Sequence, residues 1–452
     1  MTAASPDFQD AKSIAGLMRA TAVAALGGLL FGFDTAVIAG TTQGLTAAYG
    51  LSPSSLGITV SSALWGTVLG ALFAGFPADR YGRRDSLRLC ALLYMVSALG
   101  CAFAWNWAAV VFFRFIGGLG IGGSSVLGPM YIAEIAPAAW RGRLVGFFQL
   151  NVVSGILLAY FSNYLIGLAG TGGAEWRWKL GAPALPALVF LLLLFFIPRS
   201  IRWLVAKGRL EEARQALEAL GRSRSELELQ SIVASVAGGP AAGAPALFAA
   251  RNRLPIFLAV SIAMFNQLSG INAILYYLND IFARAGFSKV SADLQAVAIG
   301  ATNLLFTIAA MSVIDRIGRK SLLLAGSVGM AACLAGVSAV FFTGRHERAL
   351  VWLLVGFIAS FAFSQGAVIW VYLSELFPTR IRGRGQALGT FTHWIMNALI
   401  AATFPLMAAA SGAYPFVFFA VMMVLQFFVV LWLFPETRGI SLEEMHRKLG
   451  AA

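Results

Sequence analysis

The hexapeptide DRYGRR (79–84) recurs in the second half of the chain as DRIGRK (315–320). The segment AEIAPAAWRGR (133–143) recurs in the same order as SELFPTRIRGR (374–384). The offsets are 236 residues (79 to 315) and 241 residues (143 to 384), so both pairs have nearly the same spacing. The sequence therefore predicts two similar halves that face the same way, as parallel repeats in membrane proteins do.

The residues around these repeats have the composition of a protein that crosses a membrane many times. Of the 452 residues, 59% are hydrophobic and 12% are charged, whereas a soluble protein carries about 25% charged residues. Apolar runs long enough to span a bilayer predict twelve helices, six on each side of a polar insert. The runs are 20–40, 56–77, 87–107, 110–132, 144–168, 180–197, 254–283, 294–314, 321–342, 350–373, 387–409 and 414–434.

The expected fold class is therefore an all-α membrane protein with two six-helix repeats. The predicted domains are a first bundle at 1–197, a cytoplasmic linker at 198–253, a second bundle at 254–434 and a cytoplasmic tail at 435–452. Within the linker, apolar and polar residues of 207–220 alternate at helical spacing, which predicts an amphipathic surface helix. A second helix is predicted at 225–236, followed by a flexible Gly/Ala/Pro joint at 237–246.

The net charge of +13 is a topology signal. With both termini in the cytoplasm, 26 of the 33 Lys and Arg residues lie on the cytoplasmic side, as the positive-inside rule requires. The basic excess then contacts lipid headgroups, so the expected partner is the bilayer of a cell (inner) membrane and not a nucleic acid. The three cysteines lie in apolar runs without the spacing of a disulfide framework or a metal site, so no metal is expected.

The predicted span 7 carries polar side chains in an apolar run, MFNQLSGINAILYY (264–277). An amide without a partner in lipid costs about several kcal/mol, so Asn266, Gln267 and Asn272 need hydrogen bonds. A neighbouring helix could supply them, but the crowding of three amides and two phenols favours a polar ligand such as the hydroxyls of a sugar. Gly270 weakens the helix here, and discontinuous spans mark ligand sites near the bilayer midplane.

Charged residues also lie within the predicted spans. A carboxylate at Asp34, deep in span 1, costs about 2.5–3.5 kcal/mol on insertion scales. Arg114 in span 4 is a matching intramembrane cation. The two residues could form a static ion pair, or Asp34 could bind a proton. Burial favours the neutral acid and the arginine favours the charged form, so a change in their separation would change proton affinity.

Acids and arginines recur at matching places in the inner loops of both halves. The predicted pairs are Asp79 with Arg83, Glu134 with Arg141, Asp315 with Arg319, and Glu375 with Arg382. Such pairs are often solvated surface charges worth about 0–1 kcal/mol each. Their duplication favours a gate, in which ion pairs close the cytoplasmic side in one state and break in the other.

Seven segments together resemble the sugar porter family of the major facilitator superfamily over nearly all of the chain. They are GGLLFGFDTAVIAG, ADRYGRR, PMYIAEIAPAAWRGR, NQLSGINAILYY, DRIGRK, SELFPTRIRGRG and PETRGISLEEM. The resemblance implies a monosaccharide carrier that works by alternating access, with a central site mostly in the second half. The site residues that it implies are Phe31, Gln149, Ile156, Asn266, Gln267, Asn272, Asn303, Phe361, Gly366, Trp370, His393 and Trp394. Tyr276 and Tyr277 would belong to an outer gate.

The resemblance also bears on coupling. Proton-coupled members carry an acid where this chain has Asp34, and passive members carry a neutral residue. Symport with a proton is therefore expected, with the proton as coupling ion, no other cofactor and a monomeric carrier. A passive uniporter and a transporter-like sugar sensor are the alternatives. An enzyme is not expected, because the three histidines lie in separate regions and no HExxH or Ser/His/Asp signature occurs.

The chain departs from the family pattern in four places. Asn266 stands where the family usually has Gln, and His393 resembles the fructose-carrying branch. Ala367 replaces a common proline, which leaves Gly366 to bend span 10. In the segment after span 6, Arg199 and Ile201 alter the usual Pro-Glu-Ser-Pro-Arg, which puts one cytoplasmic contact in doubt.

Overall fold

The computed structural model describes residues 11–137, 140–220, 229–230, 232–234, 247–377 and 381–438, apart from the side chains of residues 11–13 and 315. The described part is helical and contains no strand. Most of the predicted second linker helix, all of the predicted joint and most of the tail lie outside these residues.

The helices follow the predicted apolar runs. In chain order, spans 1 to 12 are Ala11–Val37; Pro53–Phe73 with Gly75–Tyr81; Arg83–Ala102; Trp107–Ile135; Arg141–Leu168; Glu175–Gly181 with Ala184–Leu193; Arg253–Leu268 with Ile271–Tyr276 and Leu278–Arg284; Lys289–Ile317; Arg319–Thr343; Ala349–Phe363 with Gln365–Glu375; Arg382–Ala410; and Tyr414–Leu433. A short helix, Thr42–Tyr49, follows span 1, and the linker contains helices Ile201–Ala206 and Leu210–Ala219. We call "outer" the span ends that the Lys and Arg distribution predicts to face outside.

Eleven stretches of the described chain are long and apolar enough to cross a membrane. The predicted span 6 is not among them, because two shorter helices, Glu175–Gly181 and Ala184–Leu193, replace one long helix. Pro183 lies at the junction, and a proline has no N–H with which to continue the helical hydrogen bonds. The linker helix Leu210–Ala219 is amphipathic as expected, with Ala213 and Leu217 buried.

Span 7 breaks where the sequence predicts it. Gly270 has a φ of 83°, a left-handed conformation that favours glycine, and it separates helix Arg253–Leu268 from helix Ile271–Tyr276. A Cβ at this position would lie 2.2 Å from Cδ2 of Phe419, so the close packing of span 12 also requires glycine.

Span 10 breaks at a different residue from the one expected. The helix is interrupted at Ser364, whose φ and ψ are −120° and −90°, and not at Gly366. The Ser364 hydroxyl donates to the Ser360 carbonyl at 2.6 Å, and the Ser364 carbonyl accepts from the Val368 N–H at 3.0 Å. These two bonds satisfy polar groups at the break, so a serine can interrupt the helix while Gly366 remains helical.

Contacts divide the chain into two compact units. Unit 1 comprises Met1–Asp34, Trp65–Ile156 and Leu180–Ala242, and unit 2 comprises Thr35–Leu64, Leu157–Lys179 and Gly243–Ala452. This grouping is not the division into sequence halves, because the outer parts of spans 1, 2, 5 and 6 pack within unit 2. The domain boundaries expected from sequence stay a prediction.

Each unit has its own apolar core. In unit 1, buried Tyr131 and Phe190 belong to one continuous hydrophobic cluster. Spans 1 and 5 approach closely in this unit, since a Cβ at Gly155 would lie 2.0 Å from the Leu29 carbonyl oxygen. In unit 2, Tyr372 and Phe434 stack at 5.3 Å within a second cluster.

Candidate functional site

The break in span 7 gathers its amides into one hydrogen-bonded group. Gln267 Nε2 donates to Asn266 Oδ1 at 3.0 Å, and Asn272 Nδ2 donates to Gln267 Oε1 at 2.9 Å. Asn266 and Gln267 are 3% and 1% exposed, whereas Asn272 is half-buried. Asn272 therefore offers the accessible edge of the group. In this structure the side chain of Gln267 is hydrogen-bonded to other protein groups, which was the alternative to a bound sugar.

Span 11 completes the group with His393. Gln267 Nε2 lies 3.2 Å from each ring nitrogen of His393, so a neutral ring can accept from the amide, in a tautomer set by its surroundings. The His393 ring lies 5.2 Å from the ring of Trp370 on span 10 and 5.2 Å from that of Trp394. Amides, an imidazole and two indoles from spans 7, 10 and 11 thus form one cluster, which we call the amide–aromatic cluster.

Other predicted site residues lie on unit 2 as well. Asn303 is buried on span 8. Gly366 lies against Phe361, since a Cβ at Gly366 would be 3.3 Å from Cε1 of that ring. Phe31, Gln149 and Ile156 belong to unit 1, where Ile156 is buried and Phe31 and Gln149 are half-buried.

The predicted outer-gate tyrosines are both buried and bonded to span 11. The Tyr276 hydroxyl lies 3.1 Å from Nδ2 of Asn397, which donates to it. The Tyr277 hydroxyl donates to the Ala401 carbonyl at 2.8 Å, and its ring stacks on Phe404 at 5.0 Å. These contacts fix the middle helix of span 7 against span 11. A role in gating stays a prediction.

Asp34 and Arg114 lie together, as expected from the sequence. Arg114 Nη2 is 3.9 Å from Asp34 Oδ2, and the two side chains are 4% and 14% exposed, in that order. This distance exceeds that of a hydrogen bond, so the attraction is mainly between charges. Arg114 Nε has no hydrogen-bond partner within the described residues. Arg114 is therefore buried, Asp34 is half-buried, and the two side chains are loosely held.

The inner-loop acids pair with the arginines of the repeated hexapeptides. Arg83 Nε lies 3.0 Å from Glu134 Oε1 in the first half, and Arg319 Nη2 lies 3.1 Å from Glu375 Oε1 in the second. Glu134 also accepts from the Ser200 hydroxyl. The repeated motifs thus place the same kind of contact at the inner ends of both halves.

These contacts correct part of the predicted pairing. Arg141 was expected to pair with Glu134, but its Nε donates to the Ala133 carbonyl at 3.1 Å, at the end of span 4. Arg382 Nε likewise donates to the Phe377 carbonyl at 3.3 Å. Arg141 begins span 5 and can reach the Ala133 carbonyl, which lies in the last turn of span 4 and has no helical donor. Arg382 begins span 11 and reaches the Phe377 carbonyl just beyond the end of span 10. The expected pair of Asp79 with Arg83 is present at 3.5 Å, and the side chain of Asp315 is not described.

Three features of the site were missed in the sequence. Glu436 accepts from the Arg319 and Lys320 N–H groups at 2.9 and 3.1 Å and so caps span 9. In the corresponding place of the first half, Arg199 pairs with Asp85 at 2.9 Å, which resolves the doubtful cytoplasmic contact. A buried charge cluster around Lys179 joins outer span ends. Lys179 lies at the edge of an apolar run, where a lysine side chain is normally expected to be solvated at the end of a span.

Known proteins resemble this chain over almost its whole length. The family model described as "Sugar (and other) transporter" matches residues 20–449. The D-xylose-proton symporter of Escherichia coli (strain K12) is 36% identical over 464 residues, which cover 94% of each chain. The arabinose-proton symporter of Bacillus subtilis (strain 168) is 37% identical over 431 residues, which cover 94% of this chain and 93% of the relative.

A solved structure shares the fold. The inward open conformation of the xylose transporter XylE from E. coli superposes with a TM-score of 0.86 at 34% identity. The match covers 96% of this chain and 99% of that chain.

Proposed function

Because this chain belongs to the sugar porters of the sugar (and other) transporter family, in the major facilitator superfamily, we propose that it carries a monosaccharide together with a proton by alternating access. The chain is a multi-pass membrane protein with the helical fold of that superfamily. Members of this family are transporters and not enzymes.

The amide–aromatic cluster is the observation that supports a sugar substrate. Asn272 has a half-buried amide next to Gln267, and amides can donate to and accept from hydroxyl groups. Trp370, which is 37% exposed, offers an indole face for the C–H face of a sugar ring. Hydroxyl-rich pentoses and hexoses match this combination of groups. A sugar hydroxyl can take the place of an amide partner without leaving the amide unsatisfied.

The ion pair of half-buried Asp34 with buried Arg114 supports proton coupling. At 3.9 Å the arginine stabilises the charged acid, but no hydrogen bond between them has to break before a proton binds. A small movement of span 1 against span 4 would change the balance between burial and charge attraction. Such a change in proton affinity is what couples a proton to a conformational cycle.

Contacts within unit 2 support a state whose outer side is closed. The Tyr160 hydroxyl of span 5 donates to the Leu275 carbonyl of span 7 at 2.9 Å, and both groups are buried. The likeness to an inward open conformation agrees with these contacts. We place the carrier in a cell (inner) membrane with both termini cytoplasmic, as a monomer with the proton as its sole coupling ion.

Counterflow in proteoliposomes tests the substrate class. Vesicles loaded with unlabelled sugar should accumulate the matching labelled sugar transiently, and a panel of hexoses and pentoses would identify it. Absence of counterflow for every sugar in the panel, with the protein folded in the membrane, would reject monosaccharide transport. If counterflow occurs but an inward proton gradient does not stimulate net sugar uptake, the protein is a passive uniporter.

Asp34→Asn tests coupling. The amide cannot exchange a proton, so we expect uphill accumulation driven by a proton gradient to be lost while counterflow remains measurable. An internal pH dye should report no sugar-dependent proton uptake by this variant. The matched control is Glu211→Gln, which removes an exposed acid of the linker helix and should leave accumulation unchanged. Accumulation by Asp34→Asn at the wild-type level would contradict the assignment.

A further inference from the structure

Lys179 is a lysine without contact to solvent at the outer end of span 6. Its side chain is 0% exposed, and its Nζ lies 2.7 Å from Glu175 Oε1 and 3.0 Å from Asp293 Oδ2. Glu175 is on the same helix, one turn away, whereas Asp293 is on span 8 in the second half of the sequence. The ion pair therefore joins outer segments of the two sequence halves within unit 2.

The contacts continue beyond this pair. Asn279, on the outer helix of span 7, donates to Asp293 Oδ1 through its Nδ2. Lys289 Nζ, at the start of span 8, lies 2.7 Å from Glu175 Oε2. Asp293 is 1% exposed and Asn279 is 4% exposed. One continuous chain of polar contacts thus runs from span 6 through span 8 to span 7.

The surroundings show that this cluster is closely packed. A Cβ at Gly167 of span 5 would lie 2.8 Å from Asp293 Oδ2, so span 5 also lies directly against the carboxylate. On the other side, Gln43 Nε2, in the short helix after span 1, lies 3.4 Å from the Asn279 carbonyl oxygen. The side chains of Lys179 and Asp293 therefore have almost no contact with solvent while the outer ends are in contact.

Burial makes the charges of this cluster depend on one another. A buried lysine or aspartate is costly unless its partner is in place, whereas the same groups separated and hydrated are each stable. The contact of Lys179 with Asp293 therefore favours one arrangement of the span ends over intermediate ones. Asn279 follows the gate tyrosine Tyr277 by two residues, so the cluster also fixes the position of the outer helix of span 7.

We propose that Lys179 and Asp293 form an outer latch, which holds the outer ends of spans 5 to 8 together and positions helix Leu278–Arg284 through Asn279. Lys179 and Asp293 are positioning residues, since neither lies in the amide–aromatic cluster. The proposal rests on the alternating access proposed above: the latch closes in the state described here and opens when the outer side opens. Its strength then sets how much of the carrier population is open to the outside.

Distances between spin labels test the latch directly. Thr171→Cys and Ala283→Cys place labels on exposed residues, four before Glu175 and four after Asn279 in the sequence. The background is Cys90→Ser, Cys101→Ser and Cys333→Ser. Measured in proteoliposomes without sugar or gradient, Lys179→Met should add a population at longer distance. Asp293→Asn, which keeps the shape of the side chain, should do the same. The double variant Lys179→Met/Asp293→Leu, in which neither charge is left alone, should show a smaller shift.

The matched control is Lys289→Met. This lysine contacts the same Glu175, but its side chain is 47% exposed, so its removal should leave the distances as in the wild type. Wild-type distances in folded Lys179→Met and Asp293→Asn would overturn the proposal. If Lys179→Met does not fold, Asp293→Asn decides alone.

Transport kinetics give a second measurement, which would not change if Lys179 and Asp293 only stabilised the fold. A larger outward-open population should lower the half-saturation concentration for external sugar in proportion to the population gained. The latch and the proposed function fail separately: loss of counterflow in the wild type rejects sugar transport, whereas unchanged distances in the variants reject only the latch.

Discussion

At the scale of single residues, His393 explains how a buried amide is held in orientation before a ligand arrives. Gln267 Nε2 donates toward both Asn266 and His393, and its Oε1 accepts from Asn272. The polar atoms of Gln267 are thus satisfied by neighbours, and its orientation is set in advance. Preorganisation of this kind improves binding because less side-chain freedom is lost with the ligand.

His393→Ala should weaken sugar binding about ten-fold. Loss of an acceptor for a buried amide costs about 1–3 kcal/mol, and 1.4 kcal/mol corresponds to a factor of ten. His393→Gln supplies an amide oxygen in place of the ring nitrogen and should retain most of the affinity. The measurement is the half-saturation concentration in counterflow. Thr392→Ala, one residue away, is the control, and equal affinity in His393→Ala and the wild type would contradict this role.

The residue scale also shows what could be predicted from the sequence. Amides in an apolar run stand out, so Asn266, Gln267 and Asn272 could be found from the residues, and Asp34 with Arg114 could be found in the same way. Lys179 could not be found, because a lysine next to an apolar run normally lies in the headgroup region. Only the fold places Asp293, 114 residues later, against it.

At the scale of helices, the residues that follow spans 6 and 12 have opposite charges, Arg199 and Glu436, but both make contacts at the start of a neighbouring helix. In the second half, the Glu436 carboxylate accepts from the first N–H groups of span 9. In the first half, Asp85 lies in the first turn of span 3 itself and pairs with Arg199. Each arrangement places a carboxylate at a helix N-terminus, where the helix dipole favours negative charge.

Glu436→Gln should lower the stability of the second half. The variant keeps one oxygen but loses the charge that faces the start of span 9, which is worth about 0.3–1 kcal/mol, and it weakens hydrogen bonds from two N–H groups. Thermal unfolding in detergent should show a lower midpoint. Glu211→Gln, on the exposed face of the linker helix, should leave the midpoint unchanged. An equal midpoint in both variants would show that Glu436 does not hold the end of span 12 against span 9.

The helix scale shows a limit of local sequence patterns. The break at Gly270 could be predicted, because glycine in a polar segment of a span is a recognisable signal. The break at Ser364 could not, because serine is common inside membrane helices and its hydroxyl usually bonds back to the same helix without ending it. The pairing of Glu134 with Arg83 instead of Arg141 likewise depends on the position of span 3 relative to span 4.

At the scale of the whole molecule, the outer charge cluster should make the closed outer side sensitive to acid. Glu175 contacts two lysines: its Oε1 lies 2.7 Å from Lys179 Nζ, and its Oε2 lies 2.7 Å from Lys289 Nζ. Lys179 and Lys289 face this carboxylate, and Asp293 lies on the far side of Lys179. Protonation of Glu175 removes the negative charge that faces the buried Lys179, so acid should weaken the closed arrangement.

The distance between labels at Thr171→Cys and Ala283→Cys should therefore lengthen in acid, once Glu175 is protonated. Glu175→Gln should be less closed at neutral pH and should lack this acid-dependent change. The Glu211→Gln variant controls for general effects of acid on a surface carboxylate. A pH response that Glu175→Gln leaves intact would assign the change to another group.

The burial of Lys179 has a consequence for how the protein is made. Synthesis delivers span 6 before span 8, so at first the lysine has only Glu175 as a counter-ion, and Asp293 follows 114 residues later. The outer end of the first bundle therefore cannot reach its final dehydrated packing until the ribosome has produced span 8. We therefore expect an intermediate during synthesis in which spans 1 to 6 are inserted but Lys179 does not yet contact Asp293.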